Sequence, residues 1–339
     1  MSDRGGENTA AHPDQLLKMG VTTVYSSLRF DLDEIGFTRH SCRNRAGTAF
    51  MSQPGAPLHL TDAHHQAASS TALSFFHASR PLVFAHRGGC ALGPENTLAT
   101  FDAGLACGAD GLELDVQLSS DGVLVVCHDT TLDRTTAESG RLAERTAAQL
   151  TVIRAGREFR QAAVHGGRAA VANAHLTVIP TLQAVFARYP DTRIIVEMKV
   201  DTDEMGEALA REVRAAAATH RVCAAGAGLR SLRAARRALP EMASSASSPE
   251  VRLALYRSWV RWPVSRVAYG GYQVPEFAGV TRVVSPRFIQ HARRAGLPVQ
   301  VWTVDEEHDM RRLLTWGADA LITNRPDVAV KVRDEMTGR

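Results

Sequence analysis

The chain has 339 residues, of which 45% are hydrophobic, and this is enough for one large core or for two ordinary domains. Its formal net charge of +3 is too small to indicate a nucleic-acid-binding protein. Five cysteines, an odd number scattered along the chain, argue against a disulfide framework.

Residues 1–79 differ from the rest of the chain. They contain short polar clusters such as SQPGAP and HHQAASS and no sustained period of 2 or 3.6. This pattern predicts a poorly ordered N-terminal extension outside the folded domain. The first residues lack the apolar core of a secretory signal, and no run of 18 apolar residues follows. We therefore expect a cytoplasmic protein with no stable membrane insertion.

From residue 80 to residue 330, short apolar runs alternate with amphipathic stretches, which predicts βαβ units and a parallel sheet. The predicted strands are 82–86, 111–116, 123–128, 193–199, 221–226, 241–246, 281–285, 299–304 and 320–323. The predicted helices include 98–107, 204–219, 229–238, 286–295 and 305–316. Asp305 is the expected N-cap of the last of these helices, and Gly317 suits its left-handed end. Residues 331–339 are interpreted as a C-terminal tail.

The second and third predicted strands form a hairpin. Parallel neighbours need a crossover of about a dozen residues, and there is no room for one between 111–116 and 123–128. Asp121-Gly122 is a strong two-residue turn signal, so the third strand should run antiparallel to the second. The other eight strands can all be parallel. Eight strands with helices over about 250 residues predict an α/β fold of the (β/α)8 TIM-barrel type.

Polar residues occupy this hairpin where a core would favour valine or isoleucine. A two-residue turn would place His128 opposite Asp115, on the same face of the hairpin as Glu113. Two neighbouring carboxylates repel each other unless a cation lies between them. Oxygen-rich sites select hard ions, so the pattern predicts a site for one divalent cation, Mg²⁺ or Ca²⁺.

Further charged and aromatic residues end other strands of the barrel, where active sites lie. Glu197 and Lys199 end the run RIIVEMK, and this lysine is one of only three in the chain. His86 and Arg87 end the first strand before two glycines, which suits recognition of a phosphate. Trp302 ends the run VQVWTV, where its ring could cover the organic part of a substrate or fill the core.

These residues occur in segments that resemble the glycerophosphodiester phosphodiesterases. The matching segments are AHRGGCALGPENTLATFDAGLACGADGLELDVQLSSDGVLVVCHDTTLDRTT, IPTLQAVF, IIVEMK, VQVWTV and GADALITNRPD. The resemblance implies a (β/α)8 barrel with a small insertion after the second barrel strand. It also implies metal-dependent hydrolysis of glycerophosphodiesters to sn-glycerol 3-phosphate and an alcohol.

The resemblance also implies a role for each matching residue. Glu113, Asp115 and Glu197 match the family's metal carboxylates, and His86 and His128 match its general acid–base pair. Arg87 and Lys199 match its phosphate contacts. The segment between His128 and Pro180 corresponds to the family's insertion, but its RQAAVHGGRAAVANAHLTV stretch matches nothing recognisable. The stretch YGGYQVPEFAG, residues 269–279, has no assigned role.

Two other functions remain open at this stage. One is a lysophospholipase D-like enzyme that hydrolyses a lipid phosphodiester, which would need an apolar entry or a membrane-facing surface. The other is a barrel that has lost its activity and only binds a phosphate ligand. The expected partner in each enzymatic case is a small-molecule phosphodiester rather than a nucleic acid.

Overall fold

The computed structural model describes residues 74–157, 174–264 and 266–338. The strands are β1 (Leu82–His86), β2 (Gly111–Leu118), β3 (Leu124–Val126), β4 (Arg193–Met198), β5 (Val222–Ala225), β6 (Ala243–Ser244), β7 (Tyr272–Pro275), β8 (Phe277–Ala278), β9 (Thr281–Arg282), β10 (Val299–Trp302) and β11 (Ala320–Thr323). The α-helices are α1 (Leu98–Ala106), α2 (Ala147–Leu150), α3 (Leu182–Arg188), α4 (Asp203–Ala215), α5 (Leu229–Ala238), α6 (Ser248–Val260), α7 (Pro286–Arg294), α8 (Glu307–Trp316) and α9 (Pro326–Thr337). Within the described residues, no helix is long and apolar enough to cross a bilayer.

Eight parallel strands form the central sheet, in the order β6-β5-β4-β2-β1-β11-β10-β7. The two ends of this order meet, because Ser245 after β6 forms a parallel bridge with Gly271 before β7. The backbone N–H of Gly270 donates to the carbonyl of Ser244 at 2.9 Å, and that of Ala246 donates to Gly271 at 3.1 Å. The sheet is thus closed, and the predicted (β/α)8 barrel is confirmed.

The sixth barrel strand was predicted wrongly at 281–285. It is β7, Tyr272–Pro275, which pairs in parallel with β10 and lies in the stretch that had no assigned role. Two glycines precede this strand and a proline ends it, and these residues are typical of turns. Only Tyr272 and Val274 of the strand are buried, so its apolar pattern is too short to predict a strand. Residues 281–282 instead form β9, which pairs with β8 in a separate two-stranded sheet.

The hairpin of β2 and β3 is antiparallel as predicted, but its register differs by one residue. Val116 pairs with Val126, and Leu118 pairs with Leu124. The N–H of Ser119 donates to Val123 at 3.0 Å, so the loop contains three residues, with Gly122 at a φ of 75°. Residue 128 is therefore not opposite residue 115, and His128 lies beyond the paired part of β3.

The segment after β3 forms a small hydrophobic cluster of its own, where the insertion is expected. Leu132, Leu142 and Leu150 are fully buried there with Val125 of β3 and Ile179. Most of the RQAAVHGGRAAVANAHLTV stretch lies outside the described residues. The described part of the insertion is thus anchored on the hairpin by apolar contacts with Val125.

The barrel interior is closed at its amino-terminal end by residues that precede β1. Phe75 and Phe76 are buried, and the ring of Phe75 stacks on that of Phe84 with centroids 5.9 Å apart. Gly271, at the start of β7, allows this packing, because a Cβ there would lie 2.9 Å from the Phe76 ring. The core of the barrel therefore includes residues on the amino-terminal side of residue 80.

This packing predicts a large loss of stability when either phenylalanine is removed. Phe75→Ala and Phe76→Ala should each lower the free energy of unfolding by about 3–5 kcal/mol, because each leaves a cavity among buried side chains. Chemical denaturation measures the effect, and Val152→Ala is the control, since Val152 is 75% exposed. A change below about 1 kcal/mol for both phenylalanines would show that this end of the barrel does not depend on them.

Candidate active site

Strand register brings the polar residues together at the carboxyl end of the barrel. His86 of β1 is aligned with Glu113 of β2, and Asp115 of β2 is aligned with Glu197 of β4. Each of Glu113, Asp115 and Glu197 offers an oxygen, and these oxygens lie within 4.8 Å of one another. The three carboxylates that were predicted as metal ligands thus lie close together.

Asp115 is held in a fixed orientation inside this cluster. It is fully buried, and the side-chain amide of Asn96 donates to its Oδ2 at 2.9 Å. Burial opposes its ionisation, but nearby positive charges, above all those of Arg87 and Lys199, outweigh burial and lower its pKa to about 2. Asp115 is therefore a permanent anion.

Glu113 has the opposite electrostatic environment. Its carboxylate is buried, and Asp115 and Glu197 add like charges, so its pKa is raised well above the ordinary value. The backbone N–H of Arg87 donates to its Oε2 at 3.0 Å and offsets only part of this cost. An additional cation beside Glu113 would remove the repulsion that opposes its ionisation.

Two cationic side chains surround the carboxylates. Lys199 Nζ donates to Glu197 Oε1 at 3.1 Å and lies 3.3 Å from Asp115 Oδ1. Arg87 lies between Glu95, with an Nη1–Oε1 distance of 3.0 Å, and Asp115, with an Nε–Oδ2 distance of 3.2 Å. Both cations therefore lie directly against the carboxylate cluster.

The cluster has the donor set of a divalent-cation site. Its members are carboxylate oxygens, which hard cations prefer. Among the described residues, Asp115 Oδ1 is buried and accepts no hydrogen bond, although Lys199 Nζ lies 3.3 Å away. A buried carboxylate oxygen that accepts no hydrogen bond is costly, and so is ionisation of the neighbouring Glu113. Both features fit a site that binds a metal ion.

His86 is oriented by a residue that the sequence analysis did not single out. Its Nδ1 lies 2.7 Å from Oδ1 of Asn324, and Asn324 Nδ2 donates to Asp305 Oδ2 at 2.7 Å. Since the Asn324 amide nitrogen is engaged by Asp305, its oxygen faces His86, and His86 Nδ1 must carry the proton. This leaves Nε2, which lies 3.8 Å from Glu113, as the nitrogen that faces the cluster.

This arrangement also corrects the predicted role of Asp305. Its carboxylate does not cap helix α8; the N-cap position is Glu306, which forms no side-chain capping bond. Asp305 accepts hydrogen bonds from the backbone and side chain of Asn324 instead. Gly317 ends the helix in the left-handed conformation, as expected, with a φ of 95°.

His128 is oriented by a chain of ion pairs. Its Nδ1 lies 2.5 Å from Oδ1 of Asp129, and Asp129 also accepts from Arg134 Nε at 2.6 Å. Arg134 pairs in turn with Glu95 at 2.7 Å, and Glu95 pairs with Arg87. The network therefore connects the second histidine to Arg87, directly after β1, and holds the His128 ring through its Nδ1.

Trp302 ends β10 at the same end of the barrel. It is partly buried and packs against the interior cluster that contains Phe84, Ile195 and Ile322. Part of the ring is therefore core, and the remainder is exposed beside the strand ends that carry the polar residues.

The sequence analysis missed the residues that hold the functional side chains in place. They are Glu95, Asn96, Asp129, Arg134 and Asn324. Asn96 lies two residues after Pro94 with a φ of 58°, and Asp129 directly follows His128. For Asn96 and Asp129 the signal was available, because an asparagine in a turn and a polar residue beside a candidate histidine are typical of residues that orient side chains.

The fold and this site define a class, the (β/α)8-barrel enzymes with a carboxylate and histidine cluster at the carboxyl ends of the strands. Residues 86–328 match the model of the glycerophosphoryl diester phosphodiesterase family. The chain belongs to this family, and the expectation that it is an enzyme is confirmed.

Relatives and solved structures agree with this membership. A glycerophosphodiester phosphodiesterase of Caldanaerobacter subterraneus subsp. tengcongensis is 30% identical over 75% of this chain and 98% of its own. A putative glycerophosphoryl diester phosphodiesterase of Silicibacter pomeroyi has a similar structure, with a TM-score of 0.65, 25% identity, and coverage of 79% of this chain and 98% of its own. An Oleispira antarctica phosphodiesterase, solved with its product sn-glycerol-3-phosphate, shares the fold, with a TM-score of 0.59, 24% identity, and coverage of 75% of this chain and 97% of its own.

Proposed function

We propose that the protein is a metal-dependent phosphodiesterase that hydrolyses glycerophosphodiesters to sn-glycerol 3-phosphate and an alcohol. The observation that carries the proposal is the convergence of three carboxylates with two histidines and two cationic side chains. The family supports the reaction class. The sn-glycerol-3-phosphate bound by the Oleispira antarctica phosphodiesterase fits the proposed product.

Glu113, Asp115 and Glu197 would hold one divalent cation, Mg²⁺ or Ca²⁺. When bound, such a cation polarises a phosphoryl oxygen and stabilises the negative charge that develops there. Arg87 and Lys199 would contact the remaining nonbridging oxygens. A guanidinium and an ammonium in a largely buried site stabilise the developing charge far more than they would in water.

The two histidines would carry the proton transfers. Burial and the neighbouring charge of Arg87 lower the pKa of His86, which keeps its imidazole neutral and suited to accept the nucleophile's proton at Nε2. His128, with Nδ1 held by Asp129, would donate a proton from Nε2 to the leaving oxygen. The nucleophile is either water or the neighbouring glycerol hydroxyl, and detection of a cyclic glycerophosphate by phosphorus NMR would identify the second route.

Trp302 would cover the glycerol or alcohol portion of the substrate. An aromatic face contributes apolar contact without demanding one particular head group. The proposed specificity therefore comes from the phosphate and glycerol contacts, with the leaving alcohol less constrained.

The substrate class is tested by assaying glycerophosphocholine beside lysophosphatidylcholine with the same enzyme preparation. We expect release of sn-glycerol 3-phosphate and choline from glycerophosphocholine, with a kcat/KM at least tenfold higher than for lysophosphatidylcholine. A tenfold difference corresponds to about 1.4 kcal/mol in transition-state binding. The reverse preference would identify a lysophospholipase D-like enzyme. Binding of both compounds without turnover would identify a non-catalytic barrel.

The orientation of His86 gives a separate prediction. Asn324→Ala should lower kcat about 10–100-fold with KM changed only slightly, because His86 loses the acceptor that fixes its ring and its protonated nitrogen. Steady-state kinetics with glycerophosphocholine measures the effect. Thr337→Ala is the control, since this hydroxyl donates to a backbone carbonyl in α9 and not to the site. Wild-type kcat in Asn324→Ala would show that this contact does not position the histidine.

A further inference from the structure

Helix α6 and the residues directly after it carry a concentration of exposed apolar side chains. Among the described residues, nine large hydrophobic side chains are exposed, and five of them lie between residues 253 and 262. Each of the five is between 48% and 66% exposed. They are Leu253, Tyr256, Trp259, Val260 and Trp262, which together we call the aromatic face.

Four members of the aromatic face lie on one side of α6, and Trp262 follows the end of the helix. Residues 253, 256 and 260 follow a spacing of three and four, which places them on one side of an α-helix. The opposite side of α6 buries Ala254, Leu255 and Ser258 against the protein. Large apolar side chains on the exposed side of a helix, in addition to those on its buried side, are typical of a docking surface, so the aromatic face is a candidate for one.

The charge around the aromatic face is positive. Arg252 and Arg261 are exposed and Arg257 is half-buried in the same stretch. The acidic residue of α6, Glu250, is held by Arg236 at 2.8 Å and belongs to the capping box of the helix. The arginine charges are therefore not neutralised within α6, and an anionic partner is complementary to them.

The combination of side chains identifies the partner. Tryptophan and tyrosine favour the boundary between water and hydrocarbon, and arginine pairs with lipid phosphates while its stem lies along apolar surface. A second copy of this chain would bring the same arginines of both copies together and would be opposed by repulsion. We propose that the aromatic face docks the protein on the surface of an anionic lipid bilayer.

Docking in this way would leave the catalytic cluster accessible. Helix α6 follows β6 and runs back along the barrel, as a helix does after each parallel strand. Trp259 and Trp262 therefore lie towards the amino-terminal end of the barrel, remote from the carboxylates. The proposal does not depend on the proposed function, because it concerns where the protein is held and not which bond it cleaves.

The test uses the full chain and vesicle sedimentation. The protein should bind vesicles of phosphatidylglycerol and phosphatidylcholine, bind vesicles of phosphatidylcholine alone much more weakly, and dissociate as salt rises. The Arg252→Gln, Arg257→Gln, Arg261→Gln variant should reduce the partition coefficient by about fivefold for each charge removed. Trp259→Ser with Trp262→Ser should also reduce binding, while Val152→Ser, at an exposed apolar position elsewhere, should not.

Turnover of glycerophosphocholine by these variants should equal that of the wild type, which separates docking from catalysis. Circular dichroism checks that each variant is folded.

Three results would overturn the proposal. One is equal sedimentation of the wild type and both variants. Another is a concentration-dependent dimer in analytical ultracentrifugation that the tryptophan substitutions abolish, which would make the face an interface between copies. The last is protection of Trp259 and Trp262 from acrylamide quenching in the vesicle-free chain, which would mean that another segment of the chain covers them.

Discussion

Replacing His128 with alanine should lower kcat for glycerophosphocholine by at least about 10²-fold, as expected for loss of a general acid. Asp129 engages Nδ1 of the ring, which holds the imidazole in a single orientation, as a proton donor requires. Its loss should leave the affinity for the divalent cation within a few-fold, because the proposed ligands are the carboxylates of Glu113, Asp115 and Glu197. Steady-state kinetics and calorimetric metal titration of one preparation measure both quantities.

Two further variants separate proton transfer from packing at this position. His128→Gln has a similar size and should be nearly as inactive as His128→Ala. Asp129→Asn keeps His128 but weakens the contact that orients it, so kcat should fall less, about 10-fold. A His128→Ala enzyme with normal turnover and a lowered melting temperature would make this residue structural, and a loss of metal affinity by orders of magnitude would make it a ligand.

Replacing Glu113 with glutamine should lower metal affinity by orders of magnitude and abolish turnover with it. The same change should leave the melting temperature of the metal-free protein unchanged or raise it, because it removes a buried carboxylate that Asp115 and Glu197 repel. Saturating metal should stabilise the wild type, by about 2.7 kcal/mol at 100 times its dissociation constant, and should stabilise the variant far less.

Differential scanning calorimetry with and without Mg²⁺ or Ca²⁺ measures this prediction. Gln117→Glu is not a suitable control, since its side chain donates to the carbonyl of His128. Glu138→Gln is better, because Glu138 is an exposed residue of the insertion and not part of the cluster. If Glu113→Gln destabilised the metal-free protein and bound metal normally, the Glu113 carboxylate would be favourably paired without a cation and the cluster would not be a metal site.

The sequence was sufficient to predict which residues gather at the active end but not how they are held there. Glu113, Asp115 and Glu197 follow from the rule that polar residues at the carboxyl ends of barrel strands face the site. The register of the hairpin did not follow, because the choice between a two-residue and a three-residue loop at Asp121-Gly122 depends on small differences in turn energy. His128 reaches the site from beyond β3, by a route different from the predicted pairing.

Strand β7, the sixth strand of the barrel, shows a second limit of prediction from sequence. Tyr272–Pro275 is a barrel strand because its neighbours complete the ring and its N–H groups and carbonyls pair with β10. Local propensity argued against it, since glycines and a proline border it. Tertiary pairing outweighs local preference for such short strands. Similarly, Asn324 could be recognised as the partner of His86 only once β11 and β1 were known to be adjacent.

The central claim is that the carboxylate cluster binds a divalent cation on which phosphodiester hydrolysis depends. The most direct measurement is the release of sn-glycerol 3-phosphate from glycerophosphocholine by the wild-type chain, first treated with EDTA and then given back Mg²⁺, Ca²⁺ or Mn²⁺ separately. Chelation should abolish product release. At least one of these ions should restore product release in the wild type but not in Glu113→Gln. Product release that is unchanged by complete removal of metal would contradict the central claim.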